Sequence, residues 1–204
     1  LTQPFLFNTG YSRGRILYKQ GEIGRYGTIS KMALSVNNTT TVETPIKIYL
    51  KETDLTTLPS APFNWETEIA DAVLVYEGTP AFNTAGWFEL EFSELFEYTS
   101  GNLMVLTETN CGTPCVSNTT TPNFKGNSIT LHVQYVNWNQ NTNPQANWQT
   151  YSRRWDIQLF MADLECASEK KPVAVKVVNQ PTYDVETEEL FYPVSSCALG
   201  EEYI

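Results

Sequence analysis

Histidine is almost missing from this chain: His132 is the only one in 204 residues. Acid–base catalysis near neutral pH draws on histidine before any other side chain. His132 alternates with apolar residues in a strand-like run, so a structural or surface place is expected for it. Basic residues are scarce too, with thirteen lysines and arginines against 23 aspartates and glutamates, a net charge of −10. A chain so acidic repels nucleic acid and anionic membranes and offers no basic stripe to phosphates. No apolar run approaches the ~20 residues that cross a bilayer, so no membrane insertion is expected, and Leu1-Thr2-Gln3-Pro4 is no signal peptide. Gly21, Gly24 and Gly27 do not stand between a strand and a helix, which excludes a phosphate cradle of the P-loop or dinucleotide kind. Convincing amphipathic helices are lacking as well.

What is present is β-forming. Hydrophobic residues make up 41% and aromatics 13% of the chain, enough for an ordered core. Gly86 to Phe92 alternates cleanly, with Phe88, Leu90 and Phe92 on one side and Trp87, Glu89 and Glu91 on the other, the period of a half-buried strand. Met32, Leu34 and Val36 mark the buried face of a strand over Thr28–Val36. Further strands are expected at Arg15–Lys19, at IKIYLK from Ile46, at Val73–Tyr76, around Ile129–Tyr135 and over Trp155–Met161. Leu103 and Val105 alternate with Met104 and Leu106, so this strand is apolar on both faces and expected to be central. Residues 1–14 read as a lead-in adding an edge strand. The long connection from Thr53 to Asp71 carries Phe63 and Trp65, aromatic anchors that keep such a loop ordered. About eight strands at turn-rich intervals predict an all-β, jelly-roll-like antiparallel β-sandwich over residues 1–164. Residues 165–204 read as a linker and the beginning of a second domain, too short to close a sandwich of its own.

Chemistry-bearing residues are few. Glu89 and Glu91 stand ~6.5–7 Å apart along one strand face, a spacing compatible with a glycosidase pair, but two glutamates on a wet face are far more often solvent contacts. No nucleophile, acid and base can be assembled, so the chain is not expected to be an enzyme. Glu52, Asp54, Asp71, Glu108 and Asn110 supply loop oxygens for a structural calcium ion, the one cofactor considered, without EF-hand spacing. Cys111 and Cys115 flank a turn sequence, CGTPC, whose ends can meet, although C-x3-C also suits half a zinc site. With one histidine and no second close pair, disulfides are expected instead, Cys111 with Cys115 and, by elimination, Cys166 with Cys197, in an oxidising compartment.

The segment from Asn137 to Trp148 holds five asparagines, two tryptophans and two glutamines in twelve residues. Aromatic planes stack on the C–H faces of sugar rings while amides bond their hydroxyls. Tyr135, Trp138, Asn139, Asn141, Trp148 and Tyr151 are therefore the expected ligand-binding residues, and neutral carbohydrate or a surface glycan the expected partner. The competing reading makes these tryptophans plugs that pin the loop to the sandwich.

The order IYLKETD, Trp65, LVYEG, GWFELEF and LFEYTSGNLMVLTETN, closed by LHVQYVNWNQNTNPQANWQTYSRRWDIQLF, resembles a β-sandwich module of large secreted and cell-surface proteins of Bacteroidetes, among them adhesins and gliding-associated proteins. The resemblance covers Arg15 to Met161. The chain departs from the pattern at Glu108, Thr109, Asn110 and Cys111, where the family commonly has an Asp-rich segment, which weakens any inherited cation site. PVAVKVVNQ and SSCALGEE resemble the first strands of the immunoglobulin-like domains that follow such sandwiches. The resemblance implies export by the type nine route to the outside of an outer membrane. It also implies a non-catalytic adhesion module attached to neighbouring domains of the same chain, with a role in surface attachment or gliding. The alternatives are a non-catalytic carbohydrate-binding module of a secreted hydrolase and a structural spacer or assembly subunit.

Overall fold

The computed structural model describes residue 5 and residues 7–59, 63–116, 121–138 and 149–162, all within the compact unit Leu1–Leu164; at 130–132, 135–138 and 149 it describes the backbone alone. The segment expected to begin an immunoglobulin-like domain, with Cys166 and Cys197, lies outside the described residues.

Strand β1 (Tyr11–Tyr18) is followed by a single helical turn, α1 (Gln20–Ile23), and by β2 (Gly27–Asn38) and β3 (Ile46–Thr53). A second short helix, α2 (Trp65–Ile69), precedes β4 (Val73–Gly78), β5 (Gly86–Tyr98) and β6 (Asn102–Asn110). Then come β7 (Asn123–Phe124), β8 (Gly126–Trp138), β9 (Gln149–Trp155) and β10 (Ile157–Ala162). They form two antiparallel sheets, one of six strands in the order β4-β3-β6-β1-β8-β9 and one of four in the order β10-β2-β5, with β7 also paired to β2. The all-β sandwich expected from alternation is therefore the architecture. Between the sheets lies the main core, built from Ile16, Tyr18, Ile48, Leu50, Leu103, Val105 and Val133 of one sheet and Ile29, Met32, Leu34, Leu90 and Phe96 of the other.

The six-stranded sheet is covered on its far side as well. Leu17, Met104 and Leu106 point outward and pack beneath Leu58, Phe63 and Trp65 of the connection between β3 and β4. This double cover is why β6 is apolar on both faces, and Phe63 and Trp65 are the anchors they were expected to be. Within that connection the chain forms α2, a helix the sequence did not announce. Asn64 starts it, its side chain accepting from the Thr67 N–H at 3.2 Å, and Glu66 and Glu68 lie in the first turn where the helix dipole favours them.

Two expectations are corrected. Residues 11–14 do not lead into an edge strand: they open β1, which is central, pairing with β6 on one side and β8 on the other. Its polar residues are tolerated inside because they are matched across the sheet, as Ser12 Oγ is by Thr109 Oγ1 at 2.7 Å. Nor is Trp155–Met161 one strand. The chain leaves the six-stranded sheet at Trp155, and after Asp156 it joins the four-stranded sheet as β10, paired with β2. The alternation runs on unbroken because Trp155 and Ile157 both face the shared core.

Cys111 and Cys115 form a disulfide, with Cα atoms 5.4 Å apart. The loop it closes is tied to the N-terminal segment by Cys111 N–H to Gly10 O at 2.8 Å and Val116 N–H to Phe7 O at 3.2 Å. Gly10 suits this close approach, since a Cβ at that position would stand 3.0 Å from the Gly112 carbonyl oxygen and the loop would have to give way.

Candidate ligand-binding site

Of the six residues expected to bind ligand, Asn139, Asn141 and Trp148 lie outside the described residues. Tyr135 and Trp138 belong to the far end of β8, where Tyr135 pairs with Gln149 of β9 and Trp138 with Tyr11 of β1. Tyr151 sits on β9 and packs, half-buried, against the main core; burial pushes its hydroxyl pKa up. Of the six residues, Tyr151 is therefore the one whose side chain is described, and it is used for packing.

A cleft opens at the other end of the same hairpin. Strands β9 and β10 are the terminal strands of their sheets, and they are consecutive in the chain, so the chain passes from one sheet to the other here. The cleft has a volume of about 450 Å3. Ile23, Ile157, Leu159 and Met161 give it apolar walls, and Tyr18, Asn127, Arg154 and Asp156 give it a polar floor and rim. Asn127 is eleven residues from Trp138 along β8, about 36 Å at strand rise, so the cleft lies far from the Trp138 end of that strand.

The charged groups of the cleft are hydrogen-bonded within the protein, and two of them, Arg154 and Glu22, are paired with each other. Arg154 makes a fork with Glu22 of α1, Nη1 to Oε2 at 2.8 Å and Nη2 to Oε1 at 2.6 Å, and Nη1 also donates to the Leu17 carbonyl at 2.8 Å. Its guanidinium carbon lies 4.4 Å from the centre of the Tyr18 ring, a cation–π contact that holds the arginine flat against the wall. Glu22 is fixed in turn by the Lys19 N–H at 2.8 Å, as part of the cap of α1. Arg25 donates to the carbonyl of Met161, and the Asn127 amide donates to Asp156 Oδ1 at 2.7 Å. The cleft thus offers apolar walls, an aromatic face and polar edges.

No three of His, Cys, Asp and Glu come together as a metal site among the described residues. Three of the carboxylates expected to serve calcium, Glu52, Asp71 and Glu108, are bonded elsewhere: Glu108 accepts from Arg13 Nε at 2.8 Å and Asp71 from Lys51 Nζ at 3.1 Å. Glu89 pairs with Lys31 at 2.7 Å on the outer face of the four-stranded sheet. Glu52 clasps the β5–β6 turn. It accepts from the N–H and hydroxyl of Thr99 and from the N–H and hydroxyl of Ser100, the last three at 3.0, 2.8 and 2.7 Å. Burial works to raise the Glu52 pKa, but these four hydrogen bonds favour the carboxylate and hold it below its ordinary value. Its contribution to stability is therefore complete above the unfolded pKa of about 4.3 and is lost as pH falls through the lower folded value. Glu52→Gln is expected to lower the melting temperature by a few degrees at neutral pH, with the gap to the parent protein closing below about pH 4. Thermal scans across pH check it, and a gap that persists in acid would assign the loss to packing instead.

Sequence reasoning missed the cleft because it draws on three separated segments, residues 18–25, Asn127 and residues 154–161, none with a local motif. The one available signal was SRRWDI, where two arginines stand beside a tryptophan that the alternation marks as core. No family model, curated protein or solved structure matches the chain.

Proposed function

We propose that this chain is a non-catalytic attachment module of a larger secreted or cell-surface protein, and that what it attaches to is uncharged polysaccharide. The observation that carries this reading is the cleft between β9 and β10, in which Arg154 and Glu22 neutralise each other while the walls are apolar and aromatic. A neutral, ring-shaped, hydroxyl-bearing ligand matches such a surface, because it gains contact area and hydrogen bonds without having to break an ion pair. The disulfide Cys111–Cys115 supports placement outside the cytoplasm, since reducing compartments keep thiols free. The net charge of −10 supports a ligand that is not acidic.

Affinity electrophoresis against hydroxyethylcellulose, laminarin, galactomannan, starch and polygalacturonate tests the proposal. Retardation by at least one neutral polymer is expected, little changed between low and high salt, with no reducing ends released over hours. Retention on polygalacturonate alone, loss of binding in high salt, release of reducing ends, or no retention by any neutral polymer would each overturn it.

A further inference from the structure

The outer face of the four-stranded sheet carries a second arrangement with the same chemistry. Since Met32, Leu34 and Leu90 lie in the core and Phe88, Ile157 and Leu159 pack against it, alternation places their neighbours on the opposite face. Register sets these in rows: Trp87 of β5 lies opposite Ser35 of β2, and Ala33 of β2 lies between Glu89 of β5 and Gln158 of β10. Lys31 follows, bonded to Glu89 at 2.7 Å and with its ammonium 4.7 Å from the centre of the Phe160 ring. Neighbouring strands are ~4.8 Å apart and alternate residues ~6.6 Å, so the rows make a low-floored strip flanked by an indole, a carboxylate and an amide.

Two observations single this strip out. Trp87 is 46% exposed, and its indole N–H makes no hydrogen bond among the described residues. Ser35, beside it, is only 5% exposed, yet its hydroxyl also has no partner among the described residues. Other buried polar side chains do have partners, as Ser12 has Thr109 and Gln134 has Arg15. A buried hydroxyl without a partner is costly in a finished fold. A hydroxyl left so, in the same cross-strand row as an exposed indole, suits a partner that arrives with the ligand.

We infer that this face, around Trp87 and Ser35, is a stacking site for the rings of an uncharged polysaccharide, separate from the cleft. The inference rests on the neutral-glycan reading above and adds a place to it. The indole face takes the C–H face of a ring, Ser35 exchanges a hydrogen bond with a ring hydroxyl, and Glu89 and Gln158 accept and donate at the margin. Glu89 and Glu91 outnumber Lys31, so an acidic polymer is repelled.

The test uses the full chain and the same four neutral polymers. Trp87→Ala is expected to weaken binding about three- to tenfold, the scale of one aromatic stacking contact. Ser35→Ala is expected to weaken it about two- to tenfold, the scale of one hydrogen bond, while leaving the melting temperature equal or slightly higher. That pairing of weaker binding with undiminished stability separates a ligand contact from a structural one. If the parent protein binds a neutral polymer and both variants bind it equally well, the strip is no site, although the attachment reading stands. If the parent binds none, both readings fall. Should sedimentation show a dimer that Trp87→Ala turns into a monomer, the strip belongs to a second copy of the chain and the inference is overturned.

Discussion

Trp155→Ala is expected to cost about 3–5 kcal/mol, the usual range for emptying a buried tryptophan site, and so to lower the melting temperature by roughly 10 °C for a domain of this size. Trp155 is 1% exposed. Its ring lies 6.5 Å from that of Phe5 and 6.3 Å from that of Tyr18, edge to face with the latter, so its removal leaves three elements without a shared contact. Its carbonyl accepts the Tyr18 hydroxyl at 2.8 Å, which fixes the backbone where the chain passes from one sheet to the other. The cleft should fail together with the fold, because Arg154 and Asp156 flank this residue on the chain. Trp155→Phe keeps most of the packing and is expected to lose less than half as much. Denaturant titrations of the three proteins check the order, and an alanine variant within 1 kcal/mol of the parent would show that the sandwich closes without this ring.

The fold was legible wherever apolar period and burial coincide. The alternation in GWFELEF gave β5 its faces, and the doubly apolar NLMVLTE marked β6 as central. It was illegible where polar side chains are buried in pairs. YSRGRILY has no simple period, since Ser12 and Arg15 are inside; their partners Thr109 and Gln134 stand 97 and 119 residues away, beyond any local window. The sheet change at Asp156 was hidden for the opposite reason: both strands face one core, so the pattern continues while the hydrogen-bond partners change. The cleft and the sheet-face strip were harder still. Trp87 was readable as facing solvent, but whether the Ser35 hydroxyl finds a partner depends on which strands flank β2. That is a property of the assembled sheet. The same holds for the fork between Arg154 and Glu22, which joins residues from opposite ends of the domain's sequence.

Arg15→Met is expected to be the most damaging substitution of a charged residue, costing about 3 kcal/mol, at the lower end of what breaking a buried ion pair costs. Arg15 is 4% exposed. Its Nε donates to Gln134 Oε1 at 2.7 Å, its Nη1 to Glu68 Oε1 at 2.6 Å, and its guanidinium lies 4.6 Å from the centre of the Phe63 ring. Burial works to lower the Arg15 pKa and Glu68 opposes this, yet an arginine stays charged throughout the accessible pH range. The loss is moderated because Glu68 keeps Lys51, whose Nζ lies 2.9 Å from Oε2, so its carboxylate is not abandoned. Gln134 retains the carbonyl of Pro59 but loses its cation. Two of the three groups that Arg15 touches, Glu68 and Phe63, belong to the β3–β4 connection that covers the six-stranded sheet, so the damage should be local first. Amide exchange in residues 63–72 is expected to accelerate well before exchange in β6. Arg15→Lys should recover little, because a single ammonium cannot reach two acceptors and an aromatic face in one plane. A stability loss under 1 kcal/mol, or exchange accelerating uniformly across both sheets, would show that Leu58, Phe63 and Trp65 hold the connection by burial alone and that the arginine is incidental to it.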